Sequence, residues 1–363
     1  MQSEFGASQP KQYPKTPQLQ PGRKRLFVSA LVAIAVIGCL IALTLIYLRT
    51  QAIESGKRLT ESFAHVIEEQ TSRTFQTVDQ RLQLAAGNLA RLKTSGDINT
   101  QSVRALLHEQ AKELPFARVL FVVDTKGHVI YDSDRSSLGV SVADRGYFQI
   151  YQTQPLTNFY ISPPLRGRVS NKWIINAVRP LSSADGTFSG LIVASVEPSY
   201  FEELWSSVNL GADGSIMLFR RDGVLMMRSP FDNAVMGKVF TGRPLFSELL
   251  PNHPAGNFDI TSPIDGIVRM LSYQTLSTQP ELAVVAGQSY QVVLAPWREL
   301  ATVVVATWVA ASIAILILCA FLNQTWRQSR QTETRVQDMA QRLISATDAA
   351  SIGVWDLDIL ADQ

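Results

Sequence analysis

The sequence has little charge and almost no cysteine for a chain of 363 residues. Charged residues make up 18% of it, against about 25% in a typical soluble domain. Basic and acidic residues number 33 and 31, so the net charge of +2 argues against a nucleic-acid-binding protein. Both cysteines, Cys39 and Cys319, lie inside apolar stretches. We therefore expect no disulfide in the rest of the chain.

Motifs for catalysis, metal binding and cofactor binding are also missing. The four histidines, at positions 65, 108, 128 and 253, have no ligand-like spacing with cysteine or carboxylate. There is no phosphate-binding glycine loop and no nucleophile elbow. Asp132 and Asp134 lack the rest of a calcium loop, which favours a solvated turn. We expect no metal, cofactor or catalytic residue here, and whether the full-length protein is an enzyme stays open.

Two 23-residue stretches, Leu26–Leu48 and Leu300–Leu322, contain no charged residue. A helix of that length spans about 34 Å, enough for a hydrocarbon core of about 30 Å. The pattern predicts transmembrane helices over 26–48 and 299–322. A buried core helix is the alternative for either stretch, and a cleaved signal peptide is a further alternative for the first.

Basic residues flank the outer ends of these two stretches more densely than the inner ends. Before the first come Lys11, Lys15, Arg23, Lys24 and Arg25, and after the second come Arg327, Arg330, Arg335 and Arg342. The positive-inside rule then predicts a cytoplasmic tail over 1–25 and a second cytoplasmic segment after residue 322. Residues 49–298 are expected outside the cytoplasm.

No proline occurs between Gln51 and Leu114, and apolar residues recur there in steps of three and four or their sums. That spacing predicts a long amphipathic helix over 49–114, which we expect to form a stalk. Its apolar residues are Phe63, Ile67, Val78, Leu82, Ala85, Leu89 and Leu92. This apolar stripe favours packing of the helix on both the domain and a partner chain, and it therefore predicts a homodimer. A monomer whose helix lies on its own domain is the alternative.

After Pro115, short apolar runs alternate with Asp-Gly and Lys-Gly turns, which is typical of antiparallel strands. Four hairpins are predicted, over 118–133, 171–198, 215–230 and 266–288. The run "FVVDTKGHVI" is echoed about 98 residues later by "MLFRRDGVLM". The outer region is therefore predicted to hold two related lobes, over 115–207 and 208–297, with chance similarity of hairpins as the alternative.

The ordered pattern of these segments resembles a known sensor family. The residues that carry the resemblance are "ADRGYFQIY" (143–151), "ISPPLRGRVSNKWIINAVRPL" (161–181), "DGTFSGLIVASVEPSYF" (185–201) and "LGADGSIMLFRRDGVLMMRSP" (210–230). Residues 50–297 resemble the double Cache (dCache, PDC-like) extracellular sensor of bacterial transmembrane receptors. The resemblance implies an α+β fold with two tandem PAS-like Cache lobes. Their antiparallel sheets would lie on a long N-terminal stalk helix flanked by two transmembrane helices.

One segment concentrates cations and aromatic residues. Between Asp144 and Arg179 there are five basic residues and only one acid. Guanidinium groups beside aromatic rings suit an organic carboxylate, which accepts bidentate hydrogen bonds. A solvated basic loop with aromatic residues in the core is the alternative, and Arg166 and Arg168 are the members that fit it best.

The resemblance implies where a ligand would bind. In Cache relatives the ligand lies in the membrane-distal lobe, which here is 115–207. Carried over by position, the ligand-binding candidates are Arg145, Tyr147, Phe148, Lys172 and Trp173. Arg145 would be the charged clamp and Lys172 a second cation, with Tyr147 and Trp173 as walls.

Two departures from the family pattern bear on the ligand. Amino-acid-binding relatives carry Arg-x-Trp-Tyr where this chain has Arg-Gly-Tyr-Phe at 145–148. They also place an aspartate, which holds the ligand ammonium, at the position of Ser195. The resemblance thus disfavours an α-amino acid and favours a carboxylate ligand of the dicarboxylate type.

The C-terminal end has a helical pattern followed by a second resemblance. A 3/4 spacing of apolar residues predicts a cytoplasmic signalling helix over 323–343. The stretch "ISATDAASIGVWDLDI" (344–359) resembles the opening of a PAS domain, which would occupy 344–363 in truncated form. A free C-terminal tail is the alternative.

These features together predict a membrane-bound sensory receptor of the bacterial inner membrane. It would bind a small, anionic extracellular molecule and signal to a PAS-linked output. The output would be a histidine kinase or a domain that makes or degrades cyclic-di-GMP. The alternative is a membrane-anchored enzyme or transport accessory that uses its outer domain catalytically.

Overall fold

The computed structural model describes residues 22–154, 157–183 and 186–349. These residues fall into two compact units, one of Arg49–Pro296 and one made of the chain on either side of it. Residues 1–21 of the predicted tail and 350–363 of the predicted PAS opening lie outside the described residues.

The unit outside 49–296 consists of two apolar helical segments. They belong to α1 (Gly22–Ser95) and α7 (Ala295–Ala349), and their most apolar windows have mean hydropathies of 2.8 and 2.6 with no residue buried. The Trp297 indole N–H donates to the Leu45 carbonyl at 2.8 Å. A Cβ at Gly38 would lie 2.6 Å from the Trp308 ring, so glycine allows the two helices to approach there. Two long apolar helices fit a protein that crosses a membrane twice.

The 49–296 unit combines short helices with two antiparallel sheets. Its helices after α1 are α2 (Thr100–Lys112), α3 (Gly146–Thr153), α4 (Pro198–Ser206), α5 (Leu250–Asn252) and α6 (Tyr290–Val293), with a π-helical turn over Leu245–Leu249. The strands of the first sheet are β1 (Ala117–Val123), β2 (Val129–Asp132), β3 (Tyr160–Ile161), β4 (Leu165–Arg166), β5 (Trp173–Ser182) and β6 (Phe188–Val196). The second sheet has β7 (Ser215–Arg220), β8 (Leu225–Ser229), β9 (Ala255–Thr261), β10 (Val268–Thr275) and β11 (Leu282–Ser289).

The two sheets have the same topology. The first runs in the order β2-β1-β6-β5-β3, with β4 also paired to β5, and the second in the order β8-β7-β11-β10-β9. Each lobe therefore begins with a hairpin, and its first strand then pairs with the last strand of the lobe. This shared order confirms the two related lobes that the 98-residue echo predicts.

All four predicted hairpins are present as antiparallel pairs, β1 with β2, β5 with β6, β7 with β8 and β10 with β11. The turns of the first and third use Gly127 and Gly223, with φ of 83° and 87°. Residues other than glycine rarely adopt that conformation, so these two positions define where the chain reverses.

The helix predicted over 49–114 is two helices rather than one. Helix α1 ends at Ser95 because Gly96 turns into the left-handed region at φ 77°. Asn99 then caps α2, and its side chain accepts from the backbone N–H groups of Gln101 and Ser102. The part of α1 within the unit, residues 49–95, is called the stalk segment below.

One face of each sheet packs on the stalk segment. Leu120 and Ile192 from the first sheet and Leu218 and Val284 from the second are fully buried in one hydrophobic cluster with the stalk. Phe75 of the stalk is also fully buried and stacks on Phe201 of α4, with ring centroids 5.7 Å apart. Truncating a buried phenylalanine to alanine costs about 3–5 kcal/mol. The unit thus contains its own continuous core, and the opposite face of each sheet is left to other contacts.

Candidate functional site

The free face of the first sheet is covered by α3 and by the loops around it, which enclose a cavity. Its empty volume is about 560 Å³, part of it open to solvent. Alternate residues of three strands line it: Val119 and Phe121 from β1, Ile174 and Asn176 from β5, and Ser195 from β6. Because side chains alternate along a strand, the residues between these face the stalk. This space, in the lobe of residues 115–207, is called the first cavity.

Three arginines line the first cavity, Arg118, Arg145 and Arg168. Arg145 precedes α3 as its N-cap residue and donates from Nη2 to the Arg166 carbonyl at 3.1 Å. That single bond to a neutral acceptor leaves most of the guanidinium's donors available to an anion.

The other two guanidiniums have carboxylate neighbours. Arg168 pairs with Asp144 and donates to the Ser141 carbonyl at 2.9 Å. Arg118 lies 3.4 Å from Glu197, measured from Nη1 to Oε1. Among the described residues that line the cavity there is no aspartate or glutamate. Because the described lining residues carry guanidinium groups and no carboxylate, the cavity is suited to a negatively charged group.

A buried polar pair forms part of the cavity wall. Asn176 and Ser195 are directly opposite each other on β5 and β6, and each is at most 2% exposed. The Ser195 hydroxyl donates to Asn176 Oδ1 at 2.6 Å, and the Asn176 backbone N–H donates to Ser162 Oγ at 2.9 Å. This part of the cavity wall therefore presents neutral polar groups.

Tyr147, on α3, adds a hydroxyl to the apolar side of the cavity. It is 3% exposed. Burial raises the pKa of the Tyr147 hydroxyl, and the neighbouring Arg145 and Arg168 only partly oppose this. The hydroxyl thus stays protonated at neutral pH and offers a neutral donor beside the guanidiniums.

The predicted site residues divide into three groups. Arg145 and Tyr147 line the first cavity. Phe148 is 1% exposed and packs in the adjoining core, where it makes an edge-to-face contact with Phe188 at 6.5 Å. Lys172 and Trp173 do not line the first cavity; they line a separate groove.

In that groove, both side chains contact other residues of the protein. The Trp173 indole N–H donates to Asn233 Oδ1 at 2.6 Å, and the Arg166 guanidinium lies 4.4 Å over the Trp173 ring. Lys172 Nζ is 3.9 Å from Glu197 Oε2. Strand alternation accounts for the place of Trp173, because Ile174 and Asn176 face the first cavity and Trp173 points to the other side of β5.

Sequence reasoning missed Arg118 and underrated Arg168. Arg118 lies outside the basic segment 144–179, and it lines the cavity from an irregularity in the pairing of β1 with β6, between Ala117 and Val119. For Arg168, the sequence does carry a signal, since Asp144 is the one acid in that segment and the two side chains pair.

Hydrogen bonds to a buried carboxyl group hold the turn after β2, which lies beside the cavity. Asp132 is 2% exposed and accepts from the backbone N–H groups of Asp134 at 2.9 Å and Ser137 at 2.7 Å. Burial raises the pKa of the Asp132 carboxyl. Over the described ranges, no three His, Cys, Asp or Glu residues are placed to hold a metal ion together.

Comparison with known proteins gives the family context. Residues 198–287 match a family model described as dCache_1-like, histidine kinase sensor domain. No protein of curated function matches the chain at the level of sequence.

Solved structures resemble a larger part of the chain. The extracellular domain of rpHK1S-Z16, described as a histidine kinase, has a TM-score of 0.61 and 26% identity over 67% of this chain and 98% of its own. The periplasmic sensory domain of the Campylobacter jejuni chemoreceptor Tlp1 has a TM-score of 0.56 and 13% identity over 68% and 99%. The ligand-binding domain of the Pseudomonas fluorescens chemoreceptor CtaA, solved with L-isoleucine, has a TM-score of 0.53 and 14% identity over 68% and 98%.

The family match and the fold agree on one kind of domain. The match falls mainly in the second lobe, and the structural likeness extends over both lobes. The region between the two apolar helices thus has the fold of these extracellular sensor domains, and its residues 198–287 are similar to the dCache_1-like histidine kinase sensor family.

Proposed function

We propose that the chain is the front part of a two-pass inner-membrane receptor whose first cavity binds a small organic carboxylate. Residues 49–298 lie outside the cytoplasm and both termini lie inside it. Two copies pair through their stalk segments, and a ligand in the first cavity shifts the stalk relative to its partner. The signal goes to a PAS-linked output, either a histidine kinase or a cyclic-di-GMP domain.

The observation that supports a carboxylate most directly is the charge of the first cavity. Arg145 has a single bond to a backbone carbonyl, and Arg118 and Arg168 stand nearby. A carboxylate would accept charge-assisted hydrogen bonds from such groups, which are about twice as strong as neutral ones. Tyr147 would add a neutral donor on the same ligand.

An α-amino acid fits this cavity less well. CtaA, whose structure contains L-isoleucine, shares only 14% identity with this chain, which supports the fold and not the ligand. At the position where the resemblance implies an aspartate, the chain has Ser195, whose hydroxyl is bonded to Asn176. An ammonium group there would lose water without gaining a carboxylate partner.

A thermal-shift screen of residues 49–296 against organic acids, amino acids and amines tests the proposal. A ligand that binds only the folded state raises the melting temperature as its concentration rises. Arg145→Gln removes one charge-assisted interaction of about 1.5–3 kcal/mol. The dissociation constant of the best carboxylate should therefore rise by roughly 10- to 150-fold.

Arg91→Gln is the matched control, because Arg91 is an exposed arginine of the stalk segment that does not line the first cavity. It should leave both melting temperature and affinity unchanged. If an amine without a carboxylate is the best ligand, or if Arg145→Gln binds the best acid as tightly as the wild type, the proposed clamp is refuted.

A further inference from the structure

The second lobe contains a cavity in the position equivalent to the first. Its empty volume is about 590 Å³, part of it open to solvent, and it lies on the free face of the second sheet. In the first lobe, Val119 pairs across the strands with Ser195, and both line the first cavity. In the second lobe, Met217 pairs with Val285 at the corresponding strand positions, and both line this space. We call it the second cavity.

The arginine of the first cavity has a counterpart in the second. Arg243 follows Arg145 by 98 residues, and Phe246 follows Phe148 by the same interval. The local backbone is the same in both, since the N–H of each phenylalanine donates to the carbonyl of its arginine at 2.9 Å. Arg145 and Arg243 line their respective cavities. The duplication therefore preserved the cation along with the fold around it.

Two buried polar atoms on residues that line the second cavity have no hydrogen-bond partner among the residues that the structure describes. Ser215 is 3% exposed, and its Oγ is buried without a hydrogen bond. The Arg228 side chain is 10% exposed, and its Nε is buried without an acceptor. Its two terminal nitrogens make only long contacts, at 3.5 Å to Asp232 and 3.4 Å to Asp265. Leaving buried donors unsatisfied costs stability, which a bound acceptor would restore.

The rest of the wall selects an apolar ligand body. Four of the lining side chains are phenylalanines, at positions 219, 240, 246 and 258. Arg269 also lines the cavity, but Asp265 holds it with two bonds of 2.7 and 2.8 Å. The described lining residues include no carboxylate. An amino acid or an amine would therefore bring an ammonium group with no partner.

We propose that the second cavity is a separate binding site for a small monocarboxylate with an aromatic or branched apolar body. The carboxylate accepts from Arg243 and from the unpartnered Ser215 hydroxyl and Arg228 Nε. The body packs among the phenylalanines. This site is distinct from the first cavity, and it stands whether or not the first cavity binds a carboxylate.

Phenylacetate is the probe, measured by titration calorimetry on the full chain in lipid nanodiscs, with empty nanodiscs as the blank. Phenethylamine and benzyl alcohol keep the apolar body and change the polar group. We expect phenylacetate to bind more tightly than both.

Two single variants locate the binding. Arg243→Gln should weaken phenylacetate by roughly 10-fold or more, and Ser215→Ala by roughly 2- to 10-fold. Ser215→Ala removes a hydroxyl that has no protein partner, so the free protein should stay folded and its melting temperature should not fall.

The opposite results overturn the proposal. They are absence of phenylacetate binding by the wild type, tighter binding of phenethylamine, or unchanged affinity in both variants. Loss of binding in Arg145→Gln alone would assign phenylacetate to the first cavity and would equally refute the second site.

Discussion

A buried carboxylate on the stalk segment holds that helix to the second lobe. Glu68 is 4% exposed, and its Oε1 accepts from Ser72 Oγ at 2.7 Å and from the Ser277 backbone N–H at 2.8 Å. Ser277 lies in the turn between β10 and β11. Glu68→Ala removes both bonds and leaves the Ser277 N–H without this acceptor.

The size of the effect follows from the two bonds. Each hydrogen bond to a charged acceptor contributes about 1.5–3 kcal/mol, so the loss is bounded at about 3–6 kcal/mol. Alanine has a higher helix propensity than glutamate, which offsets part of it. We therefore expect Glu68→Ala to lower the free energy of unfolding by roughly 3 kcal/mol. In a domain of this size each kcal/mol lowers Tm by about 2–4 °C, so Tm should fall by roughly 6–12 °C. Glu68→Gln keeps an acceptor of the same shape and should cost about half as much.

Thermal unfolding of residues 49–296, followed by circular dichroism, measures these shifts. Glu69→Ala is the matched control, because Glu69 is the next residue of the same helix but its side chain is 51% exposed. Its surface pair with Arg73 contributes about 0–1 kcal/mol, which limits the change in Tm to about 4 °C. Equal shifts for the two alanine variants would refute the idea that the buried carboxylate ties the stalk to the second lobe.

Two further predictions concern pH and topology. The Arg269 guanidinium holds the pKa of Asp265 well below its usual range in the folded state, against an opposing effect of burial. A carboxyl group whose pKa is lower in the folded than in the unfolded state stabilises the protein at pH values above its unfolded pKa of about 3.9. This contribution to stability is lost as the pH falls further. Asp265→Asn should therefore lower Tm at pH 7, and the difference in Tm between the wild type and the variant should shrink below about pH 4. A difference in Tm that stays constant with pH would contradict this. For topology, the two natural cysteines are first replaced, and a single cysteine is then introduced at Ser183 or at Ser329. An impermeant thiol reagent added to intact cells should label these two variants differently. Labelling at 183 alone is expected, and equal labelling would contradict an external 49–298 domain.

The strands could be predicted from the sequence because their turns are marked locally. Gly127 and Gly223 stand between apolar runs, and both adopt the positive φ that a tight reversal needs. The end of α1 was harder to predict, although Gly96 and the Asn99 cap are local signals too. The apolar periodicity continues from α1 into α2, because both helices pack on the same core, and it hides the break between them.

The site could be predicted only in part, because β5 is apolar on both faces. Residues 174–178 are all buried, so alternation of polar and apolar residues does not reveal which of them face the ligand side. The sequence therefore could not show whether Trp173 or Asn176 faces the ligand side. Arg118 could not be assigned at all, since it stands at an irregularity in the pairing of β1 with β6 that the sequence does not reveal. Arg145 was predictable because it immediately precedes the helix that covers the sheet.

The arrangement of the two cavities has a consequence for how ligands act. Each sheet has one face toward a cavity and the other toward the stalk segment, as Phe121 and Leu120 show for the first sheet and Phe219 and Leu218 for the second. The stalk segment belongs to the same hydrophobic cluster as both stalk-facing sheet surfaces. Protein interiors are close-packed and transmit strain, so a ligand that reshapes either sheet acts on the same helix. Two sites that bias one helix are thermodynamically coupled, and the coupling is reciprocal. A ligand in the second cavity should therefore change the affinity of the first by the same factor as the reverse, even though the two sites share no residue.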